Sequence, residues 1–282
     1  MTQIRARDLY EWCSIPAQEL SGHPRLKVPF RMLRDSTEMG KLMSQELVDI
    51  IARNNQKGVP TRVIAPCGPK CWYAPFTELV NRQGTSLRNL TVFHMDECLD
   101  WQGQPLPTKH PYNFRTFMEE HFYGGIRVEL GVPESQRFWL LPSTIDNVRE
   151  ALWSAPIDLT LGGWGQDGHI AYNQARRHPY GAITIEELEA SSIRIQENNL
   201  DTILALAQRT FGAAYQFVPP MRSTKDKTSR LKLEWEPWWA PSSRGQTTDQ
   251  NSKSWNSRRV SRNIGRSGLT CTTQRCFPKA SF

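Results

Sequence analysis

The sequence predicts an α/β fold with a mostly parallel sheet and helices on both faces. Three observations carry this. Short, near-continuous apolar runs recur along the first four-fifths of the chain. Segments with helical spacing of apolar residues separate them, and several runs end in glycine, proline or acidic turns. Strands apolar on both sides and alternating with helices belong to sheets buried on both faces.

The elements follow in chain order. Lys27–Leu33 is expected to be an edge strand, because Pro29 lacks the N–H that a central strand needs. Asp35 with Glu38 three residues later is a helix-start signature. The helix it opens carries Met39, Leu42, Met43, Leu47, Ile50 and Ile51 on one face and stops at Gln56-Lys57-Gly58. Thr61–Ala65 reads as a buried strand, Pro66-Cys67-Gly68-Pro69 as a turn, and Trp72 to about Asn81 as a helix. Leu90–Met95 is a second strand, with a polar loop expected from Asp96 to Pro111. Phe114, Phe117, Met118, His121 and Phe122 fall at helical spacing. Phe138–Leu141 reads as a short strand, Ile145, Val148 and Leu152 mark a helix, and Ile157–Gly163 is a third good strand. Leu200, Ile203, Leu204, Ala207 and Phe211 mark the last helix.

At 282 residues the chain can hold one large α/β domain or two small ones. It lacks a run of about 18 apolar residues, so no membrane partner is expected. The first residues carry no apolar signal core, so a cytoplasmic protein with free thiols is the expectation. The net charge of +7 is concentrated at one end. Residues 222–282 hold thirteen basic and four acidic side chains, against 22 and 24 in the remainder. That ending is rich in Ser, Thr, Arg and Trp and has no apolar period, so it reads as disordered or aberrant. Its tryptophans among cations suit non-specific polyanion contacts, with no specific nucleic acid as partner. The expected partition is an extension over 1–26, an α/β domain over 27–221 and a basic tail over 222–282.

In such folds ligands sit at the carboxyl ends of the strands. Three strand ends bear chemistry. The Cys67-Gly68-Pro69-Lys70 turn stands before a helix, where N–H groups and the Lys70 charge suit a phosphate; an ordinary turn is the plainer reading. Asp96-Glu97 follow a strand directly, where a carboxylate can shuttle a proton or simply cap backbone amides. Gly162–Ile170 contains a literal G-x-G-x-x-G, yet no amphipathic helix follows, so a dinucleotide fits poorly. Asp167-x-His169 in that glycine-rich loop pairs a carboxylate with an imidazole, as a general acid or base needs. Cys67-x-x-x-Cys71 and the Cys271/Cys276 pair lack partner ligands, so no metal is expected.

Leu90–Glu97 (LTVFHMDE), His110–Met118 (HPYNFRTFM) and Leu161–Asn173 (LGGWGQDGHIAYN) together resemble the glucosamine-6-phosphate deaminase (isomerase) and 6-phosphogluconolactonase superfamily, on the deaminase side. The resemblance covers roughly residues 27–221 and implies a modified Rossmann-like fold and a phosphorylated sugar substrate. It implies that Asp96 moves a proton between C1 and C2, that His169 assists ring opening with support from Asp167, and that Arg194 grips the phosphate. Cys67, Gly68, Lys70, Glu97 and Gly165 are the further binding residues. The amine then leaves, giving fructose 6-phosphate and ammonia without a cofactor. The resemblance is compatible with monomers and with homo-oligomers.

Three departures stand out. Gln174, which the resemblance places with Asp96, Asp167 and His169 in the catalytic set, stands where a Glu is usual; its amide can hydrogen-bond His169 but cannot carry charge to an imidazolium. Pro69 removes an amide donor from the phosphate loop. Nothing after Arg222 resembles the superfamily, which reads as a frame-changed or replaced ending; the coding DNA tests this by whether another frame encodes an apolar, periodic ending. Two alternatives stay open: a lactone hydrolase in which His169 activates water, and a degenerate, non-catalytic sugar-phosphate binder.

Overall fold

The computed structural model describes residues 5–24, 26, 29–165, 169–173, 177–178, 181–182, 191–224 and 270–272. The chain divides into two units, Met1–Arg34 with Lys232–Gly268 and Asp35–Leu231 with Leu269–Phe282. In the first unit, helix α1 (Ala6–Cys13) is followed by a 3-10 segment over Ala17–Gly22. Residues 29–33 form no strand, so the expected edge strand is not found among the described part of Lys27–Leu33.

The second unit is the α/β body. Helix α2 (Ser36–Gln56) begins at Asp35, whose side chain accepts from the Glu38 N–H at 2.8 Å. Strand β1 is Thr61–Ala65, helix α3 Tyr73–Gln83 and strand β2 Leu90–His94. Strand β3 (Asp96–Leu99), helix α4 (Phe114–His121), strand β4 (Arg137–Phe138) and helix α5 (Ile145–Trp153) follow. Then come β5 (Leu159–Thr160), β6 (Gly162–Trp164), β7 (Arg177–His178) and β8 (Gly181–Ala182). Strand β9 (Arg194–Glu197), helix α6 (Leu200–Thr210), β10 (Met221–Thr224) and β11 (Thr270–Thr272) complete the order.

The main sheet has the order β4-β2-β1-β5, all parallel. All five residues of β1 are buried. Val63 and Ala65 join the core under α2, α3 and α4, while Ile64 faces the core under α5. This alternation is why the strand is apolar at every position bar Thr61 and Arg62. Trp72 is fully buried, with Phe122 at 4.9 Å and Tyr73 at 5.1 Å between ring centroids.

A second, antiparallel sheet with the order β3-β10-β9 was not foreseen. The expected polar loop from Asp96 to Pro111 is corrected at its start: Asp96–Leu99 is a wholly buried strand. The expected tail boundary at 222 falls inside β10, where Arg222, Ser223 and Thr224 are buried. Residues 225–269 and 273–282 lie outside the described part, and with them nearly all of the expected disordered tail; Thr270–Thr272 runs parallel to β6. Ile157–Gly163, expected as one strand, is divided into β5 and β6 at Leu161.

One close approach fixes how α2 meets the turn after β1. A Cβ on Gly40 would overlap the Cys71 carbonyl, a backbone atom that cannot swing aside. Beside it the Ser44 hydroxyl donates to the Trp72 carbonyl at 3.0 Å. Gly40→Ala is expected to cost about 1–3 kcal/mol, outweighing the ~1 kcal/mol helix gain of alanine. Urea unfolding checks this; a variant as stable as its parent would show that the contact yields.

Candidate active site

Cys67 after β1, Asp96 after β2 and His169 after β6 lie near one another, beyond the carboxyl ends of the parallel strands β1 and β2, where an α/β fold places its ligands. The first runs from Pro66 to Trp72. The Tyr73 hydroxyl donates to the Cys67 carbonyl at 2.8 Å and holds the turn. Cys67 is buried, and burial pushes its thiol up to about 12, so it stands as a neutral thiol. Gly68 is exposed. Lys70 is exposed overall, but its ammonium lies 3.3 Å from the centre of the Phe117 ring, and this partial desolvation lowers its pKa.

Strand β2 ends at His94, which is structural. Its Nδ1 lies 3.0 Å from the Phe138 carbonyl, its Nε2 lies 3.1 Å from the Tyr123 hydroxyl, and its ring stacks on Trp139 at 3.4 Å. Asp96 follows at the start of β3 and is 8% exposed. Burial raises its carboxyl to about 6, while Arg222 and His169 pull the other way. A base with that affinity works near neutral pH.

Glu97, its neighbour, points to the other side of β3. Its Oε1 accepts from the N–H groups of Phe114 at 2.8 Å and Cys98 at 3.0 Å, and its Oε2 accepts from the Arg115 N–H at 2.8 Å. It therefore anchors the amino end of α4, a favourable place for a negative charge. Burial nonetheless raises it, to about 8, against the pull of the Phe114 and Arg115 N–H groups.

His169 lies on Gly165. The Gly165 N–H donates to the His169 carbonyl at 2.9 Å, and a Cβ on Gly165 would collide with the imidazole. The other ring face stacks on Tyr172, 4.4 Å between centroids. The turn is held in an unusual backbone: Ala171 and Tyr172 have φ of 54° and 53°. Such left-handed positions persist when surrounding contacts enforce them. Here Thr224 donates its hydroxyl to the Ala171 carbonyl, and Gln196 donates its amide to the Tyr172 carbonyl.

The antiparallel register explains these contacts. Thr224 lies between Asp96 on β3 and Arg194 on β9; Arg222 lies between Cys98 and Gln196. Opposed residues share a face, so Asp96, Arg194, Gln196, Arg222 and Thr224 all belong to one face. Arg194 donates to the Gln196 side chain at 3.0 Å and to the Ser191 hydroxyl at 2.9 Å.

Of the expected residues, the structure brings Asp96, His169, Gly165 and Cys67 together, with Lys70 beside Cys67 and Arg194 across the second sheet. Asp167 and Gln174 lie outside the described residues. Sequence reasoning missed Gln196, Arg222, Thr224 and Tyr172. A lone Arg beside Ser, Thr, Lys and Asp reads as solvated chain, so nothing marked Arg222. Among the described residues, no group of three or more His, Cys, Asp or Glu is placed to hold a metal ion. No described helix is long and apolar enough to cross a membrane.

No family model matches the chain. Curated relatives do. A glucosamine-6-phosphate deaminase of Aliivibrio fischeri is 30% identical over 197 residues, covering 66% of each protein. Those of Aliivibrio salmonicida and Caenorhabditis elegans are 29% identical over 153 residues and 32% over 163. These cover 50% and 55% of this chain, which thus spans only about half, 54%, of either relative. A solved structure described as a monomeric glucosamine-6-phosphate deaminase superposes with a TM-score of 0.56 at 18% identity, covering 70% of this chain and 75% of the other, which is a likeness of fold.

Proposed function

We infer the activity of this chain from the superfamily to which it belongs, that of the glucosamine-6-phosphate deaminases and 6-phosphogluconolactonases. It acts as a deaminating aldose–ketose isomerase on an amino-sugar phosphate, converting glucosamine 6-phosphate and water into fructose 6-phosphate and ammonia. The observation that carries this reading is the meeting of a buried, basic Asp96 with His169 at the carboxyl end of the sheet.

His169 assists ring opening. Asp96 then takes the proton from C2 and returns it at C1, while the nitrogen gives up a proton and O1 gains one, so the C1=O double bond is replaced by C2=N. Water adds at C2 and ammonia leaves. Lys70 in the turn after β1 and Arg194 on β9 supply charge for the phosphate, Arg194 through a planar fork suited to it. Gly165 makes room for the imidazole. Glu97 holds α4 in place beside the site.

Proton NMR of glucosamine 6-phosphate in deuterated buffer tests this. The expected result is loss of the C2 proton signal together with growth of fructose 6-phosphate. Exchange without product would leave Asp96 as the base and sink the deamination step. No exchange from a folded sample, with turnover of 6-phosphogluconolactone, would replace the isomerase by a lactone hydrolase.

A further inference from the structure

Arg222 is 0% exposed, and among the described residues its Nε and both terminal nitrogens have no hydrogen-bond partner. A guanidinium buried in this way is costly, and a fold retains one only for a reason. Its surroundings give that reason. The guanidinium carbon lies 4.2 Å from the centre of the Tyr172 ring, 5.1 Å from that of Phe114 and 5.9 Å from that of Tyr112. Three rings thus cage the cation. On the same sheet face, two residue pairs along, stands Asp96. Tyr172 in turn carries His169 on its ring.

We propose that Arg222 is a positioning residue for Asp96: caged by Tyr112, Phe114 and Tyr172, its guanidinium is the internal cation that keeps the Asp96 carboxylate charged and ready to take a proton. It acts through that carboxylate and does not bind the substrate's phosphate. An anion there would meet Asp96 and Glu97, whose charges already act on Arg222. The other titratable groups near Asp96 are His169, Cys67, Tyr73 and Tyr172, with Glu97 on the other side of β3. Of these, only His169 can bring positive charge, and its loop is held by β9 and β10. The proposal rests on the reading of Asp96 as the base, but its test does not need turnover.

The full chain is labelled with 13C at the aspartate carboxyls, and the Asp96 signal is assigned by its absence in Asp96→Asn. In Arg222→Met the Asp96 titration midpoint is expected to rise by about 1 to 3 pH units. In Arg222→Lys, which keeps the charge, it stays close to the parent's. The Met variant is also expected to melt at a higher temperature, since an apolar side chain suits three rings better than a cation without hydrogen bonds. If exchange at C2 is seen, the acid limb of its rate profile moves up with the midpoint, in kcat and not in KM. If none is seen, the carboxyl titration still decides the role of Arg222. An unmoved midpoint in folded Arg222→Met and Arg222→Gln overturns the proposal. So does an equal rise in Arg222→Lys, or failure of both neutral variants to fold, which would make Arg222 a structural residue.

Discussion

Asp96→Asn is expected to slow C2 proton exchange by about 100-fold or more and, at pH 7, to unfold at a higher urea concentration than its parent. The first effect follows from removing the proposed base. The second follows from burial. The Asp96 carboxyl is raised from its ordinary 3.8 to about 6. Between those values the folded chain holds a proton that the unfolded chain has released. The stabilisation is complete below 3.8 and is lost as pH rises through 6, so at pH 7 the folded chain carries the full cost of a buried carboxylate. Asparagine imitates the protonated acid and has no such cost. At about 1.4 kcal/mol per pH unit, the gain at pH 7 is about 1–3 kcal/mol. Glu97, raised from 4.5 to about 8, adds a second decline in the parent across that window. Urea midpoints of parent and variant at pH 5, 6, 7 and 8 check the sign. The parent should weaken with rising pH, and the gap between the two should open between pH 5 and 7. A variant less stable than its parent at pH 7 would mean that Asp96 is a structural partner, and the reading of it as a strained base would fall.

Gly165→Ala is expected to lower the rate by about 100-fold or more with the fold intact. A misplacement of about 1 Å at a reacting group suffices for such a loss. The backbone at Gly165 is not in the left-handed region, so an alanine is tolerated by the chain itself. What it displaces is the imidazole of His169, which is trapped between the new methyl and the Tyr172 ring. The ring must leave its stack on Tyr172. Loss of the ring-current shift on the His169 protons, together with the drop in kcat, would confirm the cause. A variant with parental kcat and an unmoved imidazole spectrum would show that His169 has no fixed place in the reaction.

Much of this site was legible beforehand because its parts are local. The Asp35 and Glu38 pair announces α2, and the apolar runs Thr61–Ala65 and Leu90–Met95 hold the central parallel strands β1 (Thr61–Ala65) and β2 (Leu90–His94). The strand ends were readable too, because a glycine-rich turn or an acid directly after an apolar run needs no distant partner to be recognised. Asp96, His169 and Gly165 were named from such ends, and the structure gathers them.

The sequence by itself determined the fold class and the order of helices and central strands. These follow from short-range periodicity, caps and turns. The tertiary structure alone decided that Asp96–Leu99 is a buried strand, since acids are admitted to the interior only by partners remote in sequence. For Glu97 those partners are the N–H groups of Phe114 and Arg115; Asp96 shares its sheet face with Arg222 from β10. It alone turned Arg222 from the first residue of a basic ending into a caged cation beside the site, because the register of β10 against β3 and β9 sets which side chains share a face. Pairing across more than a hundred residues leaves no local period to read, and burial of a charge is a property of the assembled sheet.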